Sequence, residues 1–294
     1  MSTQDAAIEL ATAPAMVTVP EAQLRPTTRG QEAAASLALY LAIVLPTMII
    51  GHLSGMVAVV AFVTVWSFRR RRQWYRANTR LREVREALAA DDVERAPRVC
   101  RELLVEIPRR SLGHAIAVGS WGVVELRRGR PREAIVMLER MLATGRFEGR
   151  VGTLLEVGTT TGTLALAHAI VGELDAARRM LAKARAQLGR GREDMLFTIE
   201  CYLACREDRW AEVLERFDTR WREAEPKLTV GYARVARLLE ALALEHLGGD
   251  EYRRSPERFE RALDRAREAR RGVYDYLVVQ WPEGRDFLQR HALD

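Results

Sequence analysis

Hydrophobic positions change their spacing once along this chain, at Phe68. From Ala33 to Phe68 they run almost unbroken, with no Asp, Glu, Lys or Arg in 36 residues. A crossing of about 30 Å of hydrocarbon takes roughly 20 apolar residues, whereas this stretch as one helix would extend about 54 Å. Two short arms fit that length better than one steeply tilted helix. The stretch therefore predicts a transmembrane or re-entrant helical hairpin over 33–68, with arms Ala33–Ile50 and Gly55–Phe68 joined by the turn residues Gly51-His52-Leu53-Ser54. A single span with its excess buried elsewhere is the alternative. Beyond Phe68 apolar residues recur three and four apart, the period of amphipathic helices packed on one face.

The flanks assign the sides. Arg69, Arg70, Arg71 and Arg72 follow Phe68 at once, and the segment Arg69 to Arg85 holds eight arginines against Glu83 alone. The positive-inside rule keeps that end in the cytoplasm for either topology. Trp66, Trp74 and Tyr75 stand around the arginines, where amphipathic aromatics mark the interface, so the basic flank 69–76 predicts contact with anionic lipid. Ahead of the apolar stretch, residues 1–32 carry Pro14, Pro20 and Pro26 and hold no period, which predicts an unstructured tail. The apolar stretch begins late and ends in arginines instead of a small-residue site, unlike a cleaved signal peptide.

Residues 77–272 read as helical hairpins repeated in tandem. In each second helix a buried-type anchor recurs at i, i+4 and i+7: Ala96, Cys100 and Leu103, then Ala134, Leu138 and Met141, then Ala177, Leu181 and Ala184. A fourth unit keeps Val213 and Phe217, and Phe259, Leu263 and Ala266 repeat the spacing further on. A Gly or Asp stands five residues before each of the first four anchors: Asp91, Gly129, Gly172 and Asp208. The stretch from Val118 to Met141, with Trp121-Gly122, Gly129, Ala134 and Leu138, resembles the tetratricopeptide repeat, whose unit of about 34 residues is a helix-turn-helix. The family's first-helix tyrosine is Glu125 here and His168 in the next unit. Gly122 and Ala165 are small where the two helices of a unit approach. The closing segment 273–294, with Tyr274, Tyr276, Leu277, Trp281, Phe287 and Leu288, predicts a helix capping the last repeat.

The resemblance implies an all-α chain, an N-terminal membrane segment followed by a solenoid, whose first helices line a groove for a peptide or helix of a protein partner. By repeat position that groove shows Ile116, Gly119, Val123, Leu126 and Arg127, then Thr159, Gly162, Leu166, Ala169 and Ile170. The third unit adds Met195, Thr198, Tyr202, Cys205 and Arg206. The trough is apolar with arginines to one side, and implies a partner segment with an apolar face and an acidic end. The lysines and asparagines that the family's chaperone-binding members use as a carboxylate clamp are missing.

Composition narrows the function classes. The net charge is +6, and the Arg69–Arg85 flank supplies more than all of it, so the remainder shows no basic face for nucleic acid. The arginines of Arg253–Arg271 alternate with acids and read as a solvated helix face. Cys100, Cys201 and Cys205 are too few and too scattered for a disulfide framework or a metal site, and fit core packing in a reducing compartment. The five histidines form no ligand pair, and there is no nucleophile elbow, Walker loop or dinucleotide fingerprint. The expectation is a non-enzymatic adaptor without a cofactor, held in a bacterial inner membrane with its C-terminal domain in the cytoplasm. The alternative is a membrane-shaping hairpin protein whose helical domain forms homo-oligomers.

Overall fold

The computed structural model describes residues 38, 41–42, 52–90, 92, 94–109, 111–144, 154–189, 191–248 and 256–294. Among these the chain is all-α, with no strand. Helix α1 spans His52–Ala89, 38 residues in one piece. His52, Leu53 and Ser54 are therefore helical and do not form the expected turn. The first arm, apart from Ala38, Leu41 and Ala42, lies outside the described residues, as does the tail 1–32. The same helix runs unbroken from the apolar arm through the basic flank into the array. No Gly or Pro occurs from Met56 to Ala89, and the Arg, Leu, Ala and Glu that follow Phe68 are strong helix formers, so nothing stops the helix. At about 1.5 Å per residue it is a rod of roughly 57 Å. No helix among the described residues is long and apolar enough to cross a membrane.

The C-terminal end of this rod joins the body. Leu81, Val84 and Ala87 are buried there, three and four apart on one face. They pack on α2 (Arg95–Glu106) and α3 (Leu112–Arg127). The body continues as α4 (Pro131–Leu142), α5 (Leu154–Ile170), α6 (Leu174–Leu188), α7 (Phe197–Arg206), α8 (Trp210–Ala224), α9 (Val230–Leu247) and α10 (Pro256–Arg267). Consecutive helices pair as hairpins: α1 with α2, α3 with α4, and so on to α9 with α10. Each first helix also meets the next first helix, α1 on α3, α3 on α5, α5 on α7 and α7 on α9, as stacked hairpins require.

The hairpin turns repeat in atomic detail. Gly129, Gly172 and Asp208 all sit in the left-handed region, at φ 73°, 79° and 58°. Behind each, the next amide donates to a carbonyl five residues back: Arg130 to Glu125, Glu173 to His168 and Arg209 to Ala204, each at 2.9 Å. These are Schellman closures, which satisfy the last carbonyls of a helix and need a residue that tolerates positive φ. The three equivalent sites explain the sequence spacing of Gly or Asp before each anchor. All the second-helix anchors are buried, from Ala96 to Ala266. At Gly122 an added Cβ would stand 3.0 Å from Leu138 Cγ and 3.2 Å from the Ala134 carbonyl, so α3 and α4 approach only because that side chain is missing.

First helices also bury carboxylates among arginines. Glu125 of α3 pairs with Arg128 and Arg130, Glu240 of α9 with Arg237 and Arg258, and Glu200 of α7 with Arg185, Arg216 and Arg220. The Arg253–Arg271 region is thus partly inward-facing: Arg258 reaches Glu240 and Asp218, while Arg265 and Arg267 make surface pairs with Glu268 and Asp264.

The closing segment is not one helix. A 3-10 turn at Asp275–Leu277 precedes the short α11, Pro282–Arg290. Helix α11 does cap the last hairpin: Phe287 and Leu288 are buried, and Arg290 and His291 pair with Glu245 of α9. Burial disfavours ionisation of Glu245, but His291 and Arg290 outweigh it and hold the carboxyl below its usual range.

Candidate docking trough

Fourteen of the fifteen positions expected along the groove lie on α3, α5 and α7, and Met195 lies in the 3-10 turn Glu193–Leu196 that leads into α7. Val123, Leu166 and Tyr202 correspond, as do Arg127, Ile170 and Arg206, each two residues before a turn. They do not line an open trough. Ile116, Leu126, Leu166, Ile170, Thr198 and Tyr202 are buried, and Val123, Arg127, Thr159, Met195 and Arg206 are half-buried. The apolar floor packs the stack itself, and at its turn end Arg127, Tyr202 and Arg206 meet the chain's own residues 276–281.

That strap is held by the array through both its side chains and its backbone. The Tyr202 hydroxyl donates to the Leu277 carbonyl at 2.6 Å, and Arg206 Nη2 donates to the Gln280 carbonyl at 3.3 Å. Arg127 lies over the Tyr276 ring at 4.7 Å and over Tyr232 at 5.9 Å, so α3, α9 and the strap meet at one guanidinium. Arg206 stands over Trp281 at 5.5 Å. The Trp281 ring also meets Tyr202 edge-on at 5.5 Å and lies parallel to Trp210 at 6.4 Å. Val279 reaches the turn at Gly129, and the Tyr274 hydroxyl donates to the Ala266 carbonyl at 2.8 Å.

Within the chain the two trough guanidiniums, Arg127 and Arg206, face aromatic rings, and Arg206 also meets backbone carbonyls. Arg206 Nη1 also donates to the Ile170 carbonyl at 3.4 Å, tying α7 to the end of α5. Burial holds the Tyr202 phenol far above its ordinary pKa, so it stays a donor throughout the accessible pH range.

One end of the strap carries a like-charge contact. Burial first, and Asp294 second, push the Asp275 carboxyl up, with Arg285 pulling it partly back. The folded value stands above the unfolded one, so the native state holds this proton more tightly. The cost is fully present at neutral pH and disappears as pH falls through the raised value. Asp275→Asn is expected to raise the melting temperature at neutral pH by about 1–2 °C, a small gain because the side chain is exposed. At about pH 3 the variant and wild type should melt together.

The membrane-interface residues occupy α1. Trp66 is 41% exposed. Arg69, Arg70, Arg71, Arg72, Trp74 and Tyr75 continue the same helix, and their side chains lie outside what is described. Elsewhere the three cysteines are buried, and burial pushes their thiols up, which removes them as nucleophiles. His168 is buried with Nδ1 2.7 Å from Glu173. Among the described residues no metal-ligating group of His, Cys, Asp and Glu gathers. A cavity of about 700 Å³ between α8, α9 and α10 sets Arg237, Arg258, Arg261 and Arg265 against Asp218, Glu240, Asp264 and Glu268, a balance that favours no ligand charge.

Sequence reasoning missed the strap, the buried carboxylates and Trp210 beneath Trp281. Signals for two of these exist. The pairing of Tyr276 and Trp281 with Arg127 and Arg206 is an aromatic–guanidinium match, and Glu125 marks where the repeat pattern departs from its tyrosine. Comparison with protein-family models, curated proteins and solved structures finds no match for this chain.

Proposed function

We propose that this protein is a membrane-tethered interaction scaffold, built from tetratricopeptide-like hairpins and standing on the cytoplasmic side of a bacterial inner membrane. The observation that carries the tether is the N-terminal half of α1. Every residue from Val60 to Phe68 is exposed, so the rod is apolar on all sides and not along one stripe. Val60 is 60% and Phe68 66% exposed. A helix lying in the headgroup plane carries a polar face, and this one has none. Its hydroxyl at Thr64 donates to the Val60 carbonyl at 2.7 Å, satisfying itself as a group in hydrocarbon must. The arginines after Phe68 support a cytoplasmic side for the body. Among the residues whose side chains are described, Leu81 is the first buried one after them, roughly 20 Å along the helix from Phe68.

The repeated Schellman turns and the hairpin-on-hairpin stacking support the tetratricopeptide-like reading, and that architecture supports docking as the activity. Two arginines in the apolar helix test the tether, because each costs about 2.5–3.5 kcal/mol at mid-membrane. Full-length protein should stay with membranes through an alkaline carbonate wash, and the Val60→Arg, Val63→Arg double variant should be released. Equal retention of the two would overturn the reading.

A further inference from the structure

Residues 274–281 are held by the repeat array as well as by their own turn bonds and by Arg285 of α11. An aromatic ring at Tyr276 meets Arg127 and a second at Trp281 meets Arg206, five residues apart. Between them Leu277 enters the core, while its carbonyl and that of Gln280 are read by Tyr202 and Arg206. Backbone carbonyls paired by fixed donors, with alternate side chains seated between, are how a protein surface receives a peptide. We propose that the turn ends of α3 and α7 form a peptide-binding site for a segment carrying an aromatic residue, a following leucine and a second aromatic five positions after the first. The strap fills this site in cis until a partner segment of that chemistry takes its place.

Several features make the strap releasable. It enters through Gly272, which holds φ 75°. Its only regular structure is one 3-10 turn. The Arg206 bond to the Gln280 carbonyl is long, at 3.3 Å, and Val279 is 37% exposed. Asp275 stands near Asp294, so two carboxylates repel at the strap's start. Segments with few regular hydrogen bonds open below the global unfolding free energy. Helix α11 is anchored in Phe287 and Leu288 and is tied to the strap's end, where Arg285 donates to the Val278 and Val279 carbonyls and Trp281 Nε1 donates to Glu283.

The inference rests on the scaffold reading, and its test is independent of membrane retention. The probe is a synthetic peptide of residues 272–281, fluorescently labelled and titrated into full-length protein in detergent. Leu277→Asp, which expels the strap's buried leucine, should bind the peptide at least tenfold more tightly than wild type. Adding Arg206→Ala to that variant should weaken binding at least tenfold. A folded Leu277→Asp protein that ignores the peptide, or that pairs with a second copy in its place, overturns the proposal while leaving the tether reading intact. Hydrogen exchange on the unaltered protein decides the matter if Leu277→Asp fails to fold. Amides of 276–280 should exchange at least tenfold faster than those of 164–170, and equal protection would make the strap permanent core.

Discussion

Glu200→Ala should destabilise the array by about 3 kcal/mol. The Glu200 side chain is 1% exposed and sits at the junction of three helices. Arg185 of α6 reaches Oε1 at 2.8 Å, and Arg216 and Arg220 of α8 reach Oε2 at 2.6 Å each. Removing one partner of a buried ion pair strands the other charge, which costs about 3–5 kcal/mol. The lower end applies because two of the arginines retain other partners, Arg216 with Glu212 and Arg220 with Asp194. A thermal melt in detergent should fall by about 6–12 °C for a body of this size. Glu173→Ala, which removes the half-exposed partner of His168, serves as a surface control and should move the melt by under about 2 °C. Equal small shifts for both would mean that the cluster is solvated and not structural. Replacing Glu200 together with its arginines is a different experiment, since a whole buried network exchanged for apolar packing is often neutral.

The buried carboxylates show where sequence periodicity stops being informative. Spacing identified the hairpins because burial repeats on one helix face, and Ala134, Leu138, Ala177 and Leu181 are buried as that pattern requires. It also located the turns, since only Gly or a residue such as Asp holds the positive φ seen at Gly129, Gly172 and Asp208. A charged residue inside a first helix carries no such signature. Glu200 reads as solvent-facing until the arginines from α6 and α8 are brought to it by packing across 15 to 20 residues of chain. The same limit explains the trough. Equivalent positions on α3, α5 and α7 were legible from the repeat register, but what lies on them depends on a contact 75 residues away, between Tyr202 and Leu277. The continuity of α1 was not legible for another reason: composition changes at Arg69, yet arginine continues a helix as readily as leucine.

Tyr202 is the position where array core and trough coincide, and two substitutions there separate the roles. Tyr202→Ala should cost about 3–5 kcal/mol, the range for deleting a fully buried aromatic ring. The ring is completely buried and meets Trp281 edge-on, so nothing nearby can collapse into the space without moving the strap. Tyr202→Phe keeps that volume and removes only the hydroxyl. Its loss leaves the Leu277 carbonyl without its 2.6 Å donor and removes an acceptor from Arg206. A buried carbonyl left unpaired costs about 1–3 kcal/mol. Chemical unfolding of the two variants should therefore give losses in a ratio of roughly two to one. The distribution matters more than the totals. In Tyr202→Phe the loss should fall on the strap, with faster hydrogen exchange in 276–280 and unchanged protection in α5. In Tyr202→Ala both should loosen, because the ring is part of the stack as well as the seat of the strap. If the phenylalanine variant loses protection uniformly, the hydroxyl stabilises the whole array, and the strap and first helices form one cooperative unit.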